Sequence, residues 1–404
     1  MQRAARFQLV ARTGHPTFLD LPWDQPLVEW EGGRLVDVVR GISRHVVRFV
    51  DYDGRLYALK ELPARYAERE YRLLRGLAEE SMPVVDVVGV VSERGSDLDD
   101  ILITEHLEFS IPYRALFAEH GVPDLRSTLL NAMAELLVRL HLAGFFWGDC
   151  SLSNTLFRRD AGGLSAYLVD AETGELHPRL SDGQRDHDLM LAEENIVGEL
   201  LDLAAEHEGL PSGIDPIETA AEGLRRYDAL WSELTRGDVI GRNERFRIEE
   251  RLRRLNQLGF DVEEIELEAT ADGYRLHLGP QLVEPGHHRR RLLMLTGLSA
   301  QENQARRMLH DLDEFRARLG APESVAAYRW RAEVFEPAVA AVPPELWAKR
   351  QAAEVFHEIL EHRWLLSERR GADVGLESAV RAYVDDILRH AHDERSVLAS
   401  DEPG

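Results

Sequence analysis

The stretch LHLAGFFWGDCSLSNTLF, residues 140–157, joins a helix end, a polar loop and a short strand. The residues that lead into it, 127–143, carry one stripe of apolar side chains at helical spacing. Within the loop Asn154 follows Asp149 by five residues, so a tight loop can aim both side chains at one spot. Residues 155–157 are then typical of a strand. This order predicts a loop that presents polar groups from between regular elements.

Residues 33–62, upstream of this stretch, are predicted to form three short strands. The third strand, at 55–60, alternates apolar and polar side chains, and the run DYDG at 51–54 before it is a hairpin signal. Residues 64–79 carry apolar side chains at helical spacing and predict a helix. Two further strands are predicted at residues 84–91 and 101–105.

Downstream, apolar residues 166–169 predict a strand that ends at Asp170, and the pattern predicts a helix at 186–206. The stretch EHEGLPSGIDP, residues 206–216, is rich in glycine and proline and is the best candidate for a domain boundary. We therefore expect one domain at 1–210 and a second at 211–404.

Beyond this boundary the pattern is mainly helical, with one hairpin predicted around Asp272-Gly273. Ser299 and Glu302 form a predicted capping box that opens a helix to about Leu319. Two more amphipathic helices are predicted at residues 344–366 and 376–390. A strand-rich first part followed by helices indicates the α+β class, with a mostly helical second domain that carries a small hairpin.

Composition narrows the classes of function. The chain of 404 residues has a formal net charge of −24, and such an acidic surface repels nucleic acid and anionic membranes. It contains no apolar run long enough to span a bilayer, no long apolar segment of a signal peptide, and a single cysteine, Cys150. We expect a cytoplasmic protein without nucleic-acid partners, membrane spans or intrachain disulfides.

Lysine is rare in this sequence. Lys60 and Lys349 are the only lysines among 48 lysine and arginine residues, so a generic surface cation here is an arginine. A retained lysine therefore hints at a position that needs a compact ammonium, although chance survival explains such a residue equally well.

Transfer of a phosphoryl group from ATP needs few parts: a lysine on the phosphates, a glutamate that holds it, a carboxylate near the acceptor hydroxyl, and two metal ligands. The sequence offers one candidate for each part, on the edge of a predicted element and in the order Lys60, Glu70, Asp149, Asn154, Asp170. Glu68 competes with Glu70, and turn-forming roles are the alternative for the asparagine and the aspartates.

At these residues the sequence resembles the protein-kinase-like superfamily, closest to the lipopolysaccharide-kinase and aminoglycoside/choline-kinase branches. Their pattern L-H-x-x-G-x-x-x-G-D-x-x-x-x-N matches residues 140–154, and their D-x-E matches Asp170 and Glu172. The resemblance covers roughly residues 33–205 and implies a two-lobed kinase-like fold that binds ATP and Mg²⁺. The second half is similar to a bacterial domain of unknown function.

The resemblance implies roles for these positions. Catalytic roles fall to Asp149, Lys60 and Glu70, and metal binding falls to Asn154, Asp170 and Glu172. The nucleotide is expected to contact the turn after residue 40 and the end of the strand at 101–105. The candidates there, besides Lys60, are Gly41, Ser43, Arg44 and Glu105.

The sequence departs from the family pattern at several points. The phosphate loop has only Gly41, Trp147 stands where the family usually has histidine, and Ala171 replaces phenylalanine after Asp170. No segment for docking a peptide is recognisable, which favours a small molecule or sugar as the hydroxyl-bearing acceptor. Three functions remain open: a γ-phosphate transferase, a pseudokinase scaffold acting on a partner through its second domain, and a nucleotidyl transferase.

The second half offers two features of lower weight. The helix AEVFHEILEHRW, residues 353–364, contains Glu354 and His357 at a spacing that can bind metal, but a solvated polar face is the favoured interpretation. The run HHRRR, residues 287–291, is the densest basic patch and the best candidate there for contact with an anionic acceptor, with a surface loop as the alternative.

Overall fold

The structure, a computed structural model, describes residues 7–38, 44–95, 97–117, 123–206, 209–211, 214–235, 238–240, 266–270, 273–277 and 286–395. These residues form two compact units. The first comprises the described residues up to Phe157 together with Ala166–Asp228, and the second comprises Arg158–Ser165 and the described residues from Ala229 to Arg395. The expected division between residues 210 and 211 stays a prediction.

The first unit begins with a six-stranded antiparallel sheet. Its strands are β1 (Gln8–Ala11), β2 (Leu35–Val36), β3 (Val47–Tyr52), β4 (Arg55–Leu62), β5 (Val87–Ser92) and β6 (Asp100–Glu105). Their order across the sheet is β1-β5-β6-β4-β3-β2. Strand β4 lies inside the sheet, where Lys60 pairs with Val47 on one side and Leu102 on the other. Pairing on both sides fixes the backbone that carries the lysine.

Helices make up most of the rest of this unit. In chain order the elements are α1 (Ala64–Glu79), α2 (Tyr113–Phe117), α3 (Pro123–Leu142), β7 (Phe145–Phe146), β8 (Thr155–Asp160), β9 (Gly163–Leu168), β10 (Glu175–Leu176), α4 (Asp182–Glu206) and α5 (Pro216–Thr235). The end of β8, the start of β9 and the end of α5 belong to the second unit. Strand β7 pairs with β10, and β8 pairs with β9. The predicted helix at 64–79 is confirmed, and its buried face includes Glu70 beside Ala67, Leu74 and Leu77.

An N-terminal segment for which the sequence predicted no structure completes the core beneath the sheet. Phe18, Trp23, Leu27 and Trp30 are buried in one apolar cluster with side chains of β3 to β6. Burying a large apolar side chain such as Phe stabilises the fold by about 1.5–3 kcal/mol relative to leaving it exposed. This segment therefore contributes strongly to the stability of the sheet that carries Lys60.

The second unit is mainly helical. Its elements are β11 (Asp238–Ile240), β12 (Glu266–Thr270), β13 (Gly273–His277), α6 (His287–Thr296), α7 (Glu302–Leu319), α8 (Glu323–Trp330), α9 (Glu336–Ala340), α10 (Ala352–Arg370) and α11 (Leu376–Asp386). Strand β13 lies between β11 and β12, so the predicted hairpin is present. A core of large side chains unites the helices, among them Trp330, Phe335, Phe356 and Tyr383.

The strand-rich antiparallel sheet followed by helices confirms the predicted α+β class. Within the described residues, no helix is both long and apolar enough to cross a membrane.

Two predictions for the second half were wrong in detail. The capping box of α7 uses Gln301 and Gln304, because Gln301 takes the extended conformation of an N-cap and the helix begins at Glu302. Glu354 and His357 do not lie on a solvated face. Both are buried, with Glu354 3% and His357 2% exposed, because α10 packs between other helices.

Candidate active site

The predicted phosphate-binding lysine stands among three carboxylates. Lys60 Nζ lies 3.1 Å from Glu70 Oε2, 2.6 Å from Asp170 Oδ2 and 3.8 Å from Glu172 Oε2. Strand β4 supplies the lysine, the buried face of α1 supplies Glu70, and the segment after β9 supplies Asp170 and Glu172. The structure thus brings four of the predicted residues into one cluster.

The charges of this cluster are out of balance. Burial alone would lower the pKa of Lys60, but Glu70 and Asp170 outweigh it and raise that pKa above its ordinary value, so the ammonium is charged. Burial, reinforced by repulsion from Asp170, raises the pKa of Glu70 to about 8 against the attraction of Lys60. Even with Glu70 protonated, the carboxylates of Asp170 and Glu172 outnumber the single ammonium of Lys60, so the cluster has capacity for a further cation.

The second group of predicted residues is the loop that contains Asp149 and Asn154. Asn154 Nδ2 donates to the backbone oxygen of Asp149 at 3.0 Å and to its Oδ2 at 3.2 Å. Val169 N, one residue before Asp170, donates to Asn154 O at 3.0 Å. These contacts hold Asn154 between the proposed base on one side and the Lys60 cluster on the other.

Two consecutive residues before β3 connect both groups. Arg44 Nη2 donates to Asp149 Oδ2 at 2.6 Å, and His45 Nε2 lies 2.8 Å from Glu172 Oε2. Because Arg44 and His45 are adjacent in the chain, the Asp149 loop and the Lys60 cluster must lie close together. The side chain of Arg44 is mostly exposed, so packing does not hold it in contact with the Asp149 carboxylate.

Helix α4 supplies three residues that the sequence did not single out. Asp188 is fully buried and accepts the backbone N–H groups of Trp147 and Gly148, each at 2.8 Å. Asn195 Nδ2 donates to Asp149 Oδ1 at 3.2 Å, and Glu199 accepts the N–H of Leu152 at 2.7 Å. The three positioning residues fix the backbone and one oxygen of the proposed base.

A signal for Asp188 was present in the sequence. It occupies the same stripe as the buried residues Ala192, Ile196 and Leu200, four positions apart along α4. An acid in a buried stripe must have hydrogen-bond partners, because a charge without them is costly to bury.

Trp147 takes over a supporting role at the position where the family usually has histidine. Its indole is fully buried, and Nε1 donates to the backbone oxygen of Asp170 at 2.9 Å. Its own backbone oxygen accepts the hydroxyl of Thr173 at 2.8 Å. The tryptophan thereby ties the loop at Asp149 to the segment that carries the proposed metal ligands.

Other predicted residues lie elsewhere or outside the described part of the chain. Gly41 and Ser43 fall outside the described residues. Glu105, predicted to contact the nucleotide, stays a prediction; its carboxylate lies near His15 and Asp86, with ligand atoms of all three within 4.8 Å of one another. Cys150 is buried, which raises the pKa of its thiol well above the ordinary value and leaves it protonated.

The donor set of the site fits a hard divalent cation. Asp170 and Glu172 offer carboxylate oxygens and Asn154 offers an amide oxygen, the ligand types that Mg²⁺ prefers. The excess of carboxylates around Lys60 is the independent observation that supports this fit.

Comparisons with known proteins divide the chain in two. Residues 53–196 match the lipopolysaccharide kinase (Kdo/WaaP) family, and residues 229–388 match a domain of unknown function, DUF4032. These matches confirm the resemblance that the motifs indicated. No curated protein sequence matches the chain.

Solved structures overlap with the chain in part. A structure described as WaaP in complex with acyl carrier protein is 20% identical and covers 62% of this chain and 99% of its own, with a TM-score of 0.38. A type VIII aminoglycoside-3'-phosphotransferase is 19% identical and covers 51% of this chain and 89% of its own, with a TM-score of 0.34.

Proposed function

We propose that this protein is an ATP- and Mg²⁺-dependent phosphotransferase that moves the γ-phosphate to a hydroxyl group of a small molecule or sugar. The observation that carries the proposal is the contact of Lys60 with Glu70 and Asp170, next to the loop of Asp149 and Asn154. The match of residues 53–196 to a kinase family supports the same reaction class.

In this mechanism each residue has a separate task. Lys60, oriented by Glu70, binds the phosphates of the nucleotide. Asn154 and Asp170 would hold the metal, which would supply positive charge against the phosphates. Asp149 orients the acceptor hydroxyl and takes its proton late in the reaction, because the transition state is loose and most of the catalysis is positioning. Arg44 must leave Asp149 Oδ2 before the hydroxyl can reach it.

The contact of Arg44 with Asp149 favours a second candidate, a scaffold that binds nucleotide without transfer. In that case Arg44 stays on the carboxylate and the acceptor never reaches it. A nucleotidyl transferase, the third function open from the sequence, uses the same nucleotide site but transfers the α-phosphate.

Labelled ATP separates these functions. The full-length protein is incubated with Mg²⁺ and ATP labelled at the γ or at the α phosphate, with and without cell extract. Transfer of the γ label alone is the expected result, and transfer of the α label would overturn it in favour of nucleotidyl transfer. If the wild type and Arg44→Ala both bind ATP but transfer neither label, the result would support the scaffold function.

Calorimetry tests the nucleotide site without knowledge of the acceptor. Lys60→Ala should weaken ATP binding by at least about tenfold, the effect of losing one charge-assisted contact worth about 1.5–3 kcal/mol. Lys349→Ala removes the only other lysine and serves as the control. Equal ATP affinity of the Lys60 variant and the wild type would contradict the proposal.

A further inference from the structure

None of the candidate active-site residues lines a groove in the second unit. It runs between α7 and α10, ends at the loop after α10, and has a volume of about 1060 Å³. This volume is slightly above the range of about 300–1,000 Å³ typical of small-molecule sites. Residues of α7 and of α10 at helical spacing line its two walls.

The wall formed by α10 contains a buried imidazole without a hydrogen-bond partner on one nitrogen. His357 lines the groove and is only 2% exposed, yet its Nε2 has no partner among the described residues. The nearest carboxylate oxygen, Oε2 of Glu361, is 3.8 Å away, beyond hydrogen-bond distance. A buried polar atom without a partner destabilises the fold, so a ligand that bonds to Nε2 gains from satisfying it.

Burial and the positive charge of Arg307 lower the pKa of His357 to about 4, so the ring is neutral at pH 7. Arg307 is exposed at this end of the groove, and no hydrogen bond or ion pair reaches its guanidinium from the part of the chain that the structure describes. An anionic oxygen here would pair with Arg307 and could accept a hydrogen bond from Nε2.

At the other end of the groove the charged groups already satisfy one another. Arg363 makes two hydrogen bonds to Asp373, at 2.9 and 2.6 Å. Asp311 accepts the indole N–H of Trp330 at 2.6 Å, and Glu314 lies 3.3 Å from His310. The lining contains as many carboxylates as arginines, four of each, so it does not suit a polyanion such as nucleic acid. It suits a ligand with a single anionic group that pairs with Arg307 on the side away from Glu361, whose Oε2 lies 3.8 Å from His357 Nε2.

An aromatic platform completes the groove. Trp364 lines it and is 62% exposed, which is unusual for so large an apolar side chain. It follows His357 by seven residues on α10, so the two lie on one face about 10 Å apart along the helix axis. A flat or apolar portion of a ligand can pack on the indole while its anionic group reaches His357.

We propose that this groove binds a small organic anion. A phosphate or carboxylate group contacts Arg307 and Nε2 of His357, and a ring or other apolar portion packs on Trp364. This site is separate from the proposed nucleotide site and does not depend on the proposed reaction.

The test uses the full-length protein and four probes: phenyl phosphate, benzoate, inorganic phosphate and benzyl alcohol. Binding is followed by calorimetry and by saturation transfer from the protein to the ring protons. It is measured in parallel on Lys60→Ala, so that any binding at the proposed nucleotide site is recognised. We expect the two aromatic anions to bind, inorganic phosphate to bind more weakly, and the neutral alcohol not to bind. Comparison of phenyl phosphate with benzoate decides which anionic group is preferred.

Variants locate the binding. Arg307→Ala should weaken binding of the aromatic anions about tenfold or more, and Arg307→Lys should restore part of it. Trp364→Ala should weaken the aromatic anions but leave inorganic phosphate unchanged. Both residues are exposed, so neither variant should fail to fold. Arg381→Ala, an exposed arginine on α11 outside the groove, is the matched control.

Two results would overturn the proposal. One is that neither phenyl phosphate nor benzoate binds at a probe concentration of about 10 mM, above which any affinity would be too weak to be specific. The other is binding that Arg307→Ala leaves at the wild-type level, since the anion would then lie elsewhere.

Discussion

The substitution Asp188→Asn tests whether the loop at Asp149 is held from α4. Asp188 Oδ2 accepts the N–H of Trp147 at 2.8 Å and Nε2 of His141 at 3.0 Å, while Oδ1 accepts the N–H of Gly148 at 2.8 Å. An asparagine has one acceptor oxygen and one NH₂ group. Whichever way it turns, its NH₂ group faces at least one of these donors.

The smallest loss therefore occurs when the amide oxygen stays on Trp147 and His141. The N–H of Gly148 then loses a charge-assisted bond worth about 1.5–3 kcal/mol, and the two remaining bonds are weakened because the acceptor is neutral. We expect a total loss of about 3 kcal/mol in the free energy of unfolding. For a unit of this size that corresponds to a fall of roughly 6–12 °C in Tm.

Thermal unfolding of the full-length chain, followed by calorimetry, measures this effect, and ATP binding is measured alongside. Asp202→Asn is the matched control, since Asp202 lies exposed on the same helix. A Tm of the Asp188 variant equal to that of the control would refute the reasoning, because it would mean that the three contacts contribute nothing to stability.

Three further substitutions test the site and the second unit. Asp149→Asn should reduce turnover by roughly 10²–10⁴-fold, and wild-type turnover would show that Asp149 is not the base. Trp147→Phe removes the donor to Asp170 O, so we expect a loss of about 1–3 kcal/mol in stability and weaker dependence of ATP binding on Mg²⁺ in calorimetry. Burial and repulsion from Glu358 raise the pKa of Glu354 to about 7 in the folded protein. As pH rises, the Glu354 carboxyl therefore ionises in the unfolded chain before it ionises in the folded protein. The free energy of unfolding of the wild type should fall by roughly 3 kcal/mol between pH 4.5, the ordinary pKa, and pH 7. Glu354→Gln should remove this fall, and parallel stability curves for variant and wild type between pH 5 and 7.5 would contradict it.

Candidate residues could be chosen from the sequence where the residues around them also indicate a strand end, a helix end or a loop. Lys60, Asp149 and Asp170 each stand at the edge of an element, and their order matches the parts that phosphoryl transfer requires. The sheet and helices around them were predictable from period-two and helical patterns. The roles assigned to these positions stay predictions.

Contacts between distant parts of the chain were not predictable in this way. Asn195 reaches Asp149 across 46 residues, and nothing in the sequence near either residue indicates their contact. The buried segment around Trp23 lacks a strand or helix pattern, so only the sheet above it explains its burial. Spacing likewise gave no information on which polar helix face is covered, and so the burial of His357 was missed.

The basic run at 287–291, expected from its charge to contact an anionic acceptor, is partly paired with carboxylates of its own unit. It begins helix α6, and Glu302 accepts the N–H groups of His288 and Arg289. Arg291 Nη2 lies 2.8 Å from Glu323. The patch is therefore partly compensated inside its own unit, and its role in binding an acceptor stays a prediction.

The two lysines show why a rare residue carries information here. Oxygens of three carboxyl groups converge on the Lys60 ammonium. The backbone oxygen of Ala391 and the carboxylate of Asp393 converge on the Lys349 ammonium. Arg94 is the contrast: its buried guanidinium spreads its bonds around a planar fork, with Nε on the backbone oxygen of Trp23 and Nη1 on Glu61. A compact donor with three rotatable hydrogens suits acceptors that converge on one point, whereas a fixed plane suits acceptors spread around it. In a chain that otherwise uses arginine, both lysines occupy convergent sites, and only the one beside Asp170 also has surplus negative charge. The residue type thus identifies the geometry, and the charge around it identifies the candidate for chemistry.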